Sequence, residues 1–105
     1  MVEVVYEVET VVDGLSVRIG EFYENDGITG MERKDWKISG VGKFSKRVRI
    51  PKSHYADISA VHPNSEGWKL RIRDRAGKLL MGHDAVTLYH GPPSYYAVRI
   101  ECEVK

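Results

Sequence analysis

Four histidines (His54, His62, His83 and His90), one cysteine (Cys102) and several clusters of charge are the groups in this chain with types suited to chemistry. A structural zinc site takes four nitrogen or sulfur ligands at characteristic spacings, and these histidines match no finger or metalloprotease pattern. No second cysteine completes a set. On a strand, the neighbours His83 and Asp84 point to opposite faces. The sequence therefore implies no metal and no cofactor. Hydrolysis requires a nucleophile, a base and an oxyanion donor held together. Ser53 precedes His54, and Ser94 follows Pro92 and Pro93, but neither lies in a nucleophile elbow. Cys102 falls within an apolar alternation, with no charged neighbour on its own face to lower its pKa. Glu101 and Glu103 share a polar face with Arg99, which reads as solvated surface. No glycine-rich phosphate loop is present. The chain reads as a non-enzyme.

Binding is the better-supported class. The segment from Tyr89 to Tyr96 sets aromatic residues beside rigid prolines, a composition that offers large contact area at low entropic cost. Tyr89, His90 and Tyr95 are its candidate contacts with another protein. Phe22 joins them, because Phe22 and Tyr23 are adjacent on a strand and one of them must face outward. The alternative reading is single-stranded nucleic acid. Arg47 and Arg49 bracket Val48, Arg71 and Arg73 bracket Ile72, and if those two strands are neighbours the four arginines form one positive patch. Tyrosines such as Tyr55, Tyr89 and Tyr95 would then stack bases. The sequence pI of about 7.9 is low for a dedicated nucleic-acid domain.

A length of 105 residues fits one domain, taken as residues 1–105. Hydrophobic residues at 42% and charged residues at 30% supply an interior and a solvated exterior, which argues against disorder. The net charge is +1, yet the charges are segregated. Residues 1–27 hold seven acids against Arg18, and residues 28–52 hold eight bases against Glu32 and Asp35. The simplest explanation is that the two segments face each other as cross-strand charge pairs. The N-terminus lacks the basic start and apolar core of a signal peptide. No apolar run approaches the ~20 residues of a membrane helix, so no membrane span is expected.

Alternation with period two predicts strands. Tyr96, Val98, Ile100, Cys102 and Val104 fall on one face of the C-terminal run, opposite Ala97, Arg99, Glu101 and Glu103. Near the N-terminus, Tyr6, Val8, Thr10 and Val12 alternate up to Asp13-Gly14, and Leu15, Val17 and Ile19 follow in matching parity. This predicts a tight hairpin with Val12 opposite Leu15. Asn25-Asp26-Gly27 ends the second strand. From Ile28 to Gly42 the pattern weakens to a short strand near 35–39. Phe44, Val48 and Ile50 mark a strand stopped by Pro51. Residues 53–60 suit a short strand or a turn of helix. Trp68, Leu70 and Ile72 form a strand that turns at Asp74-Arg75-Ala76-Gly77 into Lys78–Met81. The predicted core contains Tyr6, Val8, Val17, Ile19, Val48, Ile50, Trp68, Leu70, Ile72, Val98, Ile100 and Val104. An exposed edge strand offers a route to a homodimer.

The order Phe44–Pro51, Ala56-Asp57-Ile58-Ser59-Ala60, Gly67–Ile72 and Ala76-Gly77-Lys78-Leu79-Leu80 resembles the MmpS-type accessory domain family. Val4-Val5-Tyr6-Glu7-Val8 is similar to that family's first strand. The resemblance implies an all-β, immunoglobulin-like antiparallel sandwich of about seven strands. It also implies display at the cell envelope or outside the cell and a supporting role beside another protein, in some members a lipid transporter. The family commonly pairs two cysteines. Cys102 occupies one of those positions and Leu70 the other, and the family's anchor helix has no counterpart here.

Overall fold

The computed structural model describes residues 1–64, 66–82, 87–89 (backbone) and 95–105. The expectations for His83, Asp84 and residues 90–94 lie outside the described residues. Among the described residues the alternation resolves into nine strands: β1 (Val2–Thr10), β2 (Ser16–Asn25), β3 (Ile28–Lys37), β4 (Gly42–Ile50), β5 (Tyr55–His62), β6 (Trp68–Asp74), β7 (Leu79–Gly82), β8 (Thr87–Tyr89) and β9 (Tyr95–Glu103). They form two antiparallel sheets packed as a sandwich. The smaller has the order β4-β1-β6-β7 and the larger β3-β2-β5-β9-β8.

Every anticipated core residue is buried, and Val4, Leu15, Ala56, Ile58 and Ala60 join them. One core residue also links the two sheets by hydrogen bonds. Tyr6 rises from β1 in the smaller sheet, fully buried, and reaches β5 with its hydroxyl. Cys102 is half-buried against this core, and desolvation raises its thiol pKa.

The N-terminal hairpin is corrected. β1 and β2 do not pair; they lie in opposite sheets, and residues 11–15 cross between them. Matching apolar parity fits either arrangement, because two strands facing one core from opposite sides also share a direction. The crossover is fixed by partners distant in sequence. The Val11 N–H donates to the Gly67 carbonyl at 2.7 Å. His62, buried, donates from Nε2 to the Asp13 carbonyl at 2.8 Å and accepts at Nδ1 from the Asn64 N–H at 2.9 Å. Thr10 closes the near end, accepting from the Val12 N–H at 3.1 Å.

The local hairpin is instead β2–β3, turned at Asp26 and Gly27 with φ angles of 50° and 77°. Positive φ at both central positions is the primed geometry that matches strand twist. β3 is therefore a ten-residue strand rather than a short one. Its charges on both faces follow from its place at an edge of the larger sheet. The β6–β7 hairpin forms as predicted. The Asp74 carboxylate accepts from the N–H groups of Ala76 and Lys78 at 2.9 and 2.8 Å, and Gly77 supplies a φ of 90°.

Candidate binding site

Asp57 stands at an outward position of β5, yet its side chain is only 4% exposed. Three neighbours bury it. Gly20, its register neighbour on β2, has no side chain to stand between Asp57 and β3. An added Cβ there would lie 3.4 Å from the Asp57 Cβ. Arg33 crosses this gap from β3, and its Nη2 donates to Asp57 Oδ2 at 2.7 Å. Arg99 closes in from β9, donating to the same oxygen from Nη2 at 2.6 Å and Nε at 3.0 Å. Charge-assisted bonds of this kind are about twice as strong as neutral ones. They also raise the Arg99 guanidinium above its already high ordinary pKa.

The inner side of the same residue is held from the core. The Tyr6 hydroxyl accepts from the Asp57 N–H at 2.9 Å and donates to the Gly20 carbonyl at 3.0 Å. The β2–β5 ladder runs from Ser16↔Val61 to Ile19↔Ile58. Gly20 and Asp57 would form its next rung, and the phenol takes that place. Past this wedge the strands part and a cleft of about 430 Å³ opens, lined by Phe22, Met31, Ser53, His54, Tyr55, Asp57, Arg99 and Glu101.

The 51–55 turn places the far wall. Ser53 donates its N–H to the Val104 carbonyl at 2.7 Å, and Val104 returns a bond to the His54 carbonyl at 2.8 Å. Ser53 has a φ of 72°, a left-handed conformation that costs a non-glycine residue about 1–2 kcal/mol. The turn directs the His54 ring edge-on to Phe22, with centroids 5.4 Å apart at 83°. Tyr55 and Met31 remain 51% and 48% exposed. Aromatic side chains, methionine and arginine are the types enriched at protein interfaces. The Asp57 carboxylate is committed to its arginines, so the cleft offers a ligand apolar contact surface and the exposed part of Arg99.

Of the contacts expected from sequence, Phe22 belongs to this cleft. Tyr95 does not. It lies half-buried at the opposite end of β9, where its backbone pairs with Tyr89. The two ends are separated by the eight residues of β5, about 26 Å at 3.3 Å per residue. His90 lies outside the described residues, as does the side chain of Tyr89.

The four arginines share the outer face of the smaller sheet, but their strands are not neighbours. β1 runs between β4 and β6. It carries Glu3, Glu7 and Glu9 into the space between Arg47 and Arg49 on one side and Arg71 and Arg73 on the other. Glu7 is the hub, 3.2 Å from Arg73, 3.6 Å from Arg71 and 3.7 Å from Lys43. Arg71 reaches Glu9 at 3.2 Å, and Arg47 approaches Glu3 at 3.7 Å. The acid-rich and base-rich segments thus face each other across a ladder, as their segregation in sequence implied.

The sequence reading missed Asp57, Arg33, Arg99, Met31 and His54 as a group. One signal was present: an acid in the middle of the small, apolar run Ala56–Ala60 needs a partner if that strand is central. No helix among the described residues is long and apolar enough to cross a membrane. Compared with protein-family models, with curated proteins and with solved structures, the chain matches none.

Proposed function

We propose that this domain is a non-catalytic interaction module that holds another protein against the outer face of its larger sheet. Phe22, Met31, Tyr55 and Arg99 are the contacts. One observation carries the reading: the Tyr6 wedge opens a fork between β2 and β5, and interface-type side chains line it above a carboxylate already engaged by two arginines. A pre-formed site avoids much of the ordering cost of association. The rim of Arg99, Glu101 and His54 suits a partner that inserts an apolar side chain and hydrogen-bonds around it.

The strand order supports an immunoglobulin-like reading of the sandwich. β1, β2, β3, β4, β5 and β9 follow one another through the two sheets as the strands B, C, C′, E, F and G of a variable-type domain do, with β6 beside β1 in the place of strand A. The MmpS-type resemblance, which touches β1 and runs through β4 to β7, supports an accessory role at the cell envelope.

The test sets two variants side by side in affinity capture from the source's own extract, after nuclease treatment and a high-salt wash. Tyr55→Ala with Met31→Ala removes two half-exposed side chains, and recovery of the bound protein should fall at least 30-fold, the loss of about 2 kcal/mol that defines a hot spot. Gln at positions 47, 49, 71 and 73 should leave recovery unchanged. The reverse pattern, with bound material that nuclease removes and that weakens steeply with salt, would establish the nucleic-acid reading instead.

A further inference from the structure

We propose that the open edge of β4 takes an acidic, extended segment of a partner protein as a fifth strand of the smaller sheet. This surface adjoins the cleft at Phe22 but does not depend on it.

Among the described residues β4 is the terminal strand of its sheet and pairs with β1 alone, so a row of its N–H and C=O groups faces away from the described ladders. Such an edge is a template for strand addition. Sheet composition leaves room there. β4 packs across the core from β2, β6 from β5 and β9, and β7 from β9, while the packing of β3 is with β2. The larger sheet therefore has one strand more than the smaller on this side, and the vacant place lies next to β4. A recess of about 340 Å³ lined by Met1, Glu21, Phe22, Arg47, Val48 and Arg49 lies where β4 meets the larger sheet. It can receive inward side chains of an added strand.

Charge selects the occupant. Residues 42–52 contain five bases and no acid: Lys43, Lys46, Arg47, Arg49 and Lys52. Lys43 and Arg47 are 63% and 77% exposed. A second copy of this chain is a poor occupant, because β4 against β4 sets base opposite base. Nucleic acid is disfavoured too, since it has no peptide N–H and C=O groups with which to continue the ladder at an open strand edge. An acidic strand is already known to suit β4, because β1 is one. Its nine residues carry three glutamates and no base, in register with Lys43, Ser45 and Arg49. From the other sheet, Glu21 reaches Lys46 at 3.4 Å. The expected ligand has the character of β1, with acids on the outward positions and apolar residues between them.

The probe is a blocked nonapeptide of the β1 sequence, Val2–Thr10, titrated into the isotope-labelled domain and followed by NMR. Shift changes and new amide protection should map to residues 42–50. Affinity should fall at least tenfold in Lys43→Gln/Arg47→Gln/Arg49→Gln, whose exposed sites leave the melting temperature within a few degrees of wild type. It should also fall with added salt, and a counterpart peptide with lysine in place of each glutamate should not bind. The proposal is overturned by no shift at β4 up to millimolar peptide, by equal binding of the lysine counterpart, by changes spreading to β6 (displacement of β1), or by an oligothymidylate that binds β4 more tightly than the peptide. Changes confined to Met31, His54 and Tyr55, which line the cleft and not the recess, overturn it too while favouring the cleft.

Discussion

Asp57→Ala is expected to lower the stability of the domain by about 2–3 kcal/mol, a fall in Tm of roughly 10–20 °C for a chain of this size. The carboxylate is almost fully buried and accepts three charge-assisted bonds from two strands. Removing one member of a buried pair costs about 3–5 kcal/mol when the other charge stays buried. Here the arginines are 31% and 51% exposed and can turn to water, so the lower figure applies. Arg33→Ala and Arg99→Ala should each cost less, and double-mutant cycles with Asp57 should give coupling energies of one sign. Thermal denaturation of the wild type, the three single variants and the two double variants measures this. A variant at 57 as stable as wild type would mean that the arginines contribute only through their aliphatic stems.

Tyr6→Phe should cost about 1–3 kcal/mol, because it removes one oxygen and leaves the buried Asp57 N–H and Gly20 carbonyl without their shared partner. The same substitution should change the alkaline limb of the stability curve. Burial holds the Tyr6 phenol well above its ordinary pKa, with the neighbouring Asp57 charge adding to the effect. In the unfolded chain this phenol ionises near pH 10. Below that pH its stabilisation is complete. Above it the unfolded state has released a proton that the folded state keeps, so stability falls as pH rises toward the folded value, by up to about 1.4 kcal/mol per pH unit from this group. Denaturant titrations between pH 8 and 11 should show a steeper decline in wild type than in Tyr6→Phe. If the variant is as stable as wild type and the two curves run parallel, the fork closes without the hydroxyl and the wedge is not what opens the cleft.

The strands that one can read from the sequence are those with one face in the core. β6 and β9 alternate because Leu70, Ile72, Val98 and Ile100 meet the opposite sheet while Lys69, Arg71 and Arg99 meet water or ion-pair partners. β3 could not be read in this way. It is an edge strand with little burial on either face, so nothing enforces a period. The β1–β2 connection misleads for another reason. A hairpin and a crossover impose the same apolar parity, and the deciding bonds come from Gly67 and His62, about fifty residues away.

The site follows the same logic. Tyr6 reads as a core residue from its alternation, but the group that its hydroxyl meets is set by a register fourteen residues away on β2 and fifty-one away on β5. Phe22 reads as an outward aromatic, and it is one wall of the cleft. Asp57 reads as one polar residue on a strand. Its arginines come from strands 24 and 42 residues distant, and only the pairing order brings them together over Gly20. Local pattern records which face a residue takes, while the neighbours across that face are a property of topology.

The most direct test of the interaction-module reading is site-specific photo-crosslinking in the source's own cells. A photoreactive residue is placed at Tyr55, within the cleft, and in a second protein at Arg18, on the same face where the β2–β5 ladder is intact. The account predicts a discrete protein adduct from position 55 that Met31→Ala abolishes, and no such adduct from position 18. Equal labelling from both positions, or an adduct indifferent to Met31, would contradict it.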